Sequence, residues 1–239
     1  MSDISATNFI KKIHGKAINM RDIDYSRYGL NRLRGICVHD ALYIFYKDYF
    51  EDLFDYIDVP SEENINEKLN QFGHKAYYEA LKSLFKKKAR IYPGNRGIFL
   101  FECISAMQWE LELLFKRINR DFRMGYEPKE IIERNKPLLI EENLILPLPQ
   151  NKFLYAKPDI IYRNGKELIL TDYKVYKFKP SEYKLKELID IVLLYVFIYN
   201  NTFKRNITKA QIRLLNQRED IPIDISEENL KKFIKRIVI

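Results

Sequence analysis

Apolar residues recur at helical spacing through the first half of the chain and alternate at strand spacing through much of the second. Leu42, Phe45, Tyr46, Tyr49, Phe50, Leu53 and Ile57 form one helical stripe, which Pro60 closes. A second helix starts at Ser61, Glu62 and Glu63, carries Tyr77, Leu81, Leu84 and Phe85, and ends in Lys86, Lys87, Lys88 and Arg90. The run from Tyr92 to Gly97 reads as a break, because it holds Pro93, Gly94 and Asn95. A third helix follows through Phe101, Ile104, Met107, Leu111, Leu114, Phe115 and Ile118. After Pro137 the period becomes two over Leu138 to Leu148. Two further strands meet at Asn164 and Gly165. Pro180, Ser181 and Glu182 open a helix through Leu185, Leu188, Val192, Tyr195 and Tyr199. A strand over Ala210 to Leu215 and a helix from Ser226 complete the chain. This order predicts an α/β fold in one domain: a small mixed sheet flanked by helices, with 1–135 mainly helical and 136–239 the sheet core.

The pair at Asn164 and Gly165 gives the most local detail. Leu154 to Arg163 and Lys166 to Val175 are both rich in strand formers, and Asn-Gly between them signals a hairpin with a type I′ turn. A two-residue loop at Asn164 and Gly165 sets Arg163 opposite Lys166, Ile161 opposite Leu168 and Asp159 opposite Leu170. Asp159, Asp172 and Lys174 then share one face with Ile161, Leu168 and Leu170, the two carboxylates as diagonal neighbours. Two acids and a lysine on an apolar face are costly to bury unless they are paired or bind a cation. A divalent metal fits that requirement.

The same parity in Leu138 to Leu148 leaves Glu142 as the polar member of the more apolar face. A carboxylate there points either to a metal site or to an exposed strand end or a lysine pair. His39 aligns with Tyr43, Tyr46, Phe50 and Leu53 on the inward stripe of its helix, where an isolated histidine reads as a core residue. His14 and His74 have no comparable context.

Composition narrows the class. The chain has 239 residues, 46% of them hydrophobic, so it can bury a sizeable core. Its net charge of +8 favours a polyanionic partner. Cys37 and Cys103 stand apart, which argues against a disulfide scaffold, a zinc site or a four-cysteine cluster. The first residues have no signal-peptide pattern, and the apolar stretch Ile189 to Tyr199 is interrupted by Asp190 and too short to span a bilayer. A soluble cytoplasmic protein is the expectation.

Pro158 and Asp159, then twelve residues, then Asp172, Tyr173 and Lys174 resemble the signature of the PD-(D/E)xK nuclease superfamily. Gly35 four residues before His39 resembles the helix motif of its RecB-like branch, which includes helicase-associated nucleases and exonucleases of CRISPR adaptation. The resemblance spans roughly His39 to Tyr199. It implies a restriction-endonuclease-like fold and metal-dependent hydrolysis of DNA, by an exonuclease acting on single-stranded or end-containing DNA. It also implies partners in repair, recombination or CRISPR adaptation. His39, Asp159, Asp172 and the Tyr173 carbonyl become the expected ligands of Mg²⁺ or Mn²⁺. Lys174 becomes the residue that orients or deprotonates water, and Glu142 one that orients a bound water or helps hold a second ion. The chain departs from the branch at Ile191, where a glutamine four residues before Tyr195 is usual, and in lacking the cysteines of its iron–sulfur members. No iron–sulfur cluster is expected. An alternative is a nucleic-acid-binding or assembly protein that keeps the fold without activity.

Two basic groups bear on the partner. Lys177, Lys179, Lys184 and Lys186 follow the predicted catalytic strand, interleaved with Tyr176, Phe178 and Tyr183, and suit contact with phosphates and unpaired bases. Tyr195 is expected to join them. Lys86 to Arg90 and the lysines near the C-terminus read as solvated faces.

Overall fold

The computed structural model describes residues 4–13, 29–57, 60–86, 93–148, 152–203 and 205–237. His14, Lys87, Lys88, Arg90 and Tyr92, weighed above, lie outside them. The elements are β1 (Ile4–Ser5), α1 (Ala6–Ile13), α2 (Leu30–Ile44), α3 (Glu62–Lys86), α4 (Pro93–Arg123), α5 (Pro128–Asn135), β2 (Pro137–Ile140), β3 (Leu144–Leu148), β4 (Lys152–Ala156), β5 (Ile160–Asn164), β6 (Glu167–Lys174), α6 (Glu182–Phe203), β7 (Lys209–Leu214), β8 (Glu219–Ile223) and α7 (Glu227–Ile237).

β6 is buried from Leu168 to Tyr173, as expected of a strand covered on both faces. It centres a mixed sheet of order β2-β5-β6-β7-β8. β6 and β7 run parallel, joined by the α6 crossover, and the other neighbours are antiparallel. One face carries Ile160, Tyr162, Ile169 and Tyr173 against α2, α3, α4 and α5. The other carries Ile161, Leu168, Leu170 and Ile212 against α1, α6 and α7. A smaller sheet of order β1-β4-β3 lies on the α6 side. The predicted mixed α/β architecture with a helical N-terminal part is present.

The hairpin differs from expectation in one informative way. Asn164 pairs with Glu167, Arg163 with Leu168 and Ile161 with Leu170, so the loop residues are Gly165 and Lys166. Gly165 has φ +64° and Lys166 has no positive φ, the pattern of a type II′ turn with glycine first. The pairing is displaced by two residues from the expected register. A shift of two preserves which face each side chain takes, so Asp159 and Asp172 still share a side. Continued by one pair, the register sets them directly opposite one another.

Other expectations fail for local reasons. The predicted strand over Leu138 to Leu148 is two strands in two sheets, divided at Glu141, Glu142 and Asn143. The first hairpin strand is likewise interrupted at Lys157, Pro158 and Asp159, leaving β4 and β5 in different sheets. Pro93 to Gly97 does not break a helix but starts α4, since a proline in the first turn gives up only an N–H that has no helical partner. The stripe after His39 leaves the α-helix at Phe45 for a π-helical turn over Phe45–Tyr49, then a 3-10 turn over Leu53–Tyr56.

Candidate metal centre

The site forms where β2, β5 and β6 end beside α2. His39 projects from the second half of α2, with its side chain 23% exposed. Its Nδ1 lies 3.0 Å from Glu141 Oε1 and 3.2 Å from Asp159 Oδ1, and its Nε2 lies 3.2 Å from the Tyr173 carbonyl oxygen. The Tyr173 N–H donates to Asp159 Oδ2 at 2.6 Å, tying the acid to the neighbouring strand. Lys174 Nζ donates to the Tyr173 carbonyl at 2.9 Å, stands 2.5 Å from Asp172 Oδ2 and is 3.9 Å from Asp159 Oδ2. Asp172 Oδ2 is buried and has the Lys174 ammonium as its charge partner. His39, Glu141 and Asp159 can each offer a ligand atom within 4.8 Å of the others.

The residues expected to converge do so in part. His39, Asp159, Asp172, Lys174 and the Tyr173 carbonyl meet in one place. Glu142 does not join them: it is exposed, and Glu141 turns inward instead. The chain leaves β2 there with Glu141 at φ +50°, while the Glu141 N–H donates to the Asp159 carbonyl at 3.0 Å. A left-handed residue ends the alternation, so parity carried across it names the wrong acid. The run Glu141, Glu142, Asn143 between two apolar segments was the available sign of a break. Lys157 was not foreseen; its Nζ lies 2.7 Å from Glu141 Oε2.

The charges are closely balanced. Burial works against the imidazolium of His39, but Asp159 and Glu141 raise its pKa to about 10. Burial also works against the Asp159 carboxylate, yet His39, Lys174 and the Tyr173 N–H hold it well below the usual carboxylate range. Burial pushes Asp172 up to about 6 despite the lysine in contact, which leaves it ionised at neutral pH. Lys174 is raised above the ordinary lysine value by Asp172 and Asp159, against burial, and is cationic.

A cleft of about 630 Å³ opens over this group, lined by Asn31, Arg32, Gly35, Tyr176 and Lys184 among others. Lys184 also donates to the buried Glu187 at 3.1 Å. Lys177 lies 5.5 Å from the centre of the exposed Phe178 ring, and Lys179 pairs with Glu219 on β8. Tyr195 is in a different place from that expected of a nucleic-acid contact. It is buried behind the carboxylates, its hydroxyl 3.4 Å from Thr7 Oγ1, because its stripe of α6 packs onto the sheet. Among the described residues, no helix is long and apolar enough to cross a membrane. No protein-family model matches the chain, and no curated protein matches it.

Proposed function

We propose that the chain is a metal-dependent deoxyribonuclease with a restriction-endonuclease-like core formed by α2, β2, β5, β6, α6 and β7. The observation that carries the reading is the convergence of His39, Glu141 and Asp159 beside Lys174 at the mouth of a cleft. A mixed imidazole and carboxylate donor set fits Mn²⁺ or Mg²⁺. His39, Glu141 and Asp159 would hold the ion, with Asp172 and the Tyr173 carbonyl beside it. When bound, the ion polarises the phosphate and lowers the pKa of its water.

The chain's own groups divide the remaining work. Asp159 is fixed by the Tyr173 N–H, so one of its oxygens is held in position for the ion. Lys174, kept cationic by two carboxylates, orients the attacking water and offsets charge gathering on the phosphate oxygens. Its raised pKa favours that role over taking the proton. His39 must lose its proton to act as a ligand, so metal binding and proton release are linked. Incubation with labelled linear and circular DNA, single- and double-stranded, tests the reading. Phosphodiester cleavage should depend on Mn²⁺ or Mg²⁺ and stop with chelator, and no cleavage of any substrate would reject it.

One observation favours the alternative of an inactive nucleic-acid-binding protein. His39, Lys157 and Lys174 balance Glu141, Asp159 and Asp172, so the cluster is satisfied without an ion. Calorimetric titration with Mn²⁺ separates the two. Heat lost in Asp159→Ala supports the metal site, and absence of heat in the wild type supports the alternative.

A further inference from the structure

A second group of cations gathers at the turn end of the hairpin. A cleft of about 390 Å³ there is lined by Arg163, Lys166 and Arg205, with Gly165 and Asn206. All three cationic side chains are exposed, and none has a carboxylate partner among the described residues. The acid that lines the cleft, Glu167, is engaged by Lys209 at 2.6 Å. Arg163 and Arg205 share one locus: burial raises the Tyr199 hydroxyl's pKa, and both guanidinium groups act against it. Arg205 follows the C-terminus of α6 and offsets its dipole. Arg163, at a strand end, and Lys166, in a turn, have no such duty. Three like charges around one cleft repel each other and favour an anion between them.

The cleft is also joined to the candidate metal centre. A third depression, of about 270 Å³, follows edge strand β2 from Glu141 to Leu138 past Lys47 and Lys136. Glu141 belongs also to the cleft over the metal ligands, and Leu138 to the basic cleft. Depressions therefore run along the sheet edge from the carboxylates to the turn. Arg163 shares its sheet face with Asp159 and Asp172, and Leu168, its partner, is about 13 Å from Asp172 along β6 at ~3.3 Å per residue.

We infer that Arg163, Lys166 and Arg205 form a phosphate-binding site for the backbone of a nucleic-acid strand whose reacting phosphate lies at the carboxylates. The placement of that phosphate rests on the nuclease reading. At ~3.4 Å of helix axis per nucleotide, a strand within a duplex extends about four nucleotides beyond the reacting bond to engage it, and an extended single strand fewer.

The test is fluorescence anisotropy of labelled oligothymidylate, duplex DNA and single-stranded RNA in chelator. Wild type is compared with the triple variant Arg163→Ser, Lys166→Ser, Arg205→Ser, and with Lys231→Ser, Lys232→Ser, Lys235→Ser on α7 as a charge-matched control. The first variant should bind at least one of these nucleic acids roughly tenfold more weakly, with the log–log salt slope smaller by about two to three, and the control should bind like wild type. Thermal melting confirms that each variant is folded, and Arg163→Glu alone provides a second reading if the triple variant is not. Equal losses in both triple variants, no loss in the first, or no binding by wild type would overturn the inference. So would loss confined to inorganic polyphosphate, run as a competing anion. Binding is read without metal, so the two readings fail separately. Charge-dependent binding without cleavage would reject the nuclease and leave the anion site, and cleavage with unchanged affinity would do the reverse.

Discussion

Glu141 adopts a left-handed backbone conformation that costs a residue with a Cβ on the order of 1 kcal/mol, and its side chain meets both His39 and Lys157. Strain at a residue whose carboxylate completes a polar cluster suggests that the side chain is what the position requires. Glu141→Gly should therefore be about 1 kcal/mol more stable than Glu141→Ala in urea denaturation, while both lose Mn²⁺ binding. Glu142→Ala should bind Mn²⁺ like wild type. The metal-free cluster has its own pH signature. The folded pKa of His39, about 10, lies above its unfolded value near 6.5, so the protonated imidazole contributes stability fully below 6.5. That contribution declines as pH rises from 6.5 through about 10. In chelator, the melting temperature of the wild type should fall across that window relative to His39→Gln, and parallel curves would contradict the assigned charge state.

At the level of elements, the hairpin shows what a sequence pattern can carry and where it stops. Faces follow from a period of two, so Asp159, Asp172 and Lys174 could be grouped although the register was displaced by two residues. Glu141 could not, because alternation carries no information past a left-handed residue between two sheets. Lys157 was hidden for a similar reason, since it lies in the break between β4 and β5. The helical N-terminal half was readable from its stripes. The π-helical turn after His39 and the proline-led start of α4 were not, because both depend on packing or on helix-end chemistry that periodicity does not register. Gly165 is the residue the turn requires, and Gly165→Ala should destabilise by about 1 kcal/mol in chemical denaturation. Behind the sheet, Glu110 is fully buried, accepts from Tyr46 Oη at 3.0 Å and Arg213 Nη1 at 2.5 Å, and links α4 to β7. Glu110→Ala removes one of the two carboxylates that Arg213 meets among the described residues, leaving Asp220, and should cost about 3–5 kcal/mol in the same measurement.

For the whole molecule, two apolar clusters on opposite faces fix a mixed sheet, and the polar cluster lies where three strand ends meet α2. The net charge of +8 supplies a long-range attraction for polyanions, while on the proposed reading the local balance of the carboxylate site would leave specificity for a metal to the ligand geometry. On the proposed nuclease reading, Lys174 is the residue on which binding and chemistry would part company, because it would not be required to hold the ion yet stands beside both Asp159 and Asp172. The decisive measurement is the rate of Mn²⁺-dependent phosphodiester cleavage by purified wild type and by folded Lys174→Ala. Wild type should cleave and lose activity in chelator, and the variant should be slower by about 10²-fold or more. Cleavage at the wild-type rate by Lys174→Ala, or none by the metal-loaded wild type, would contradict the account.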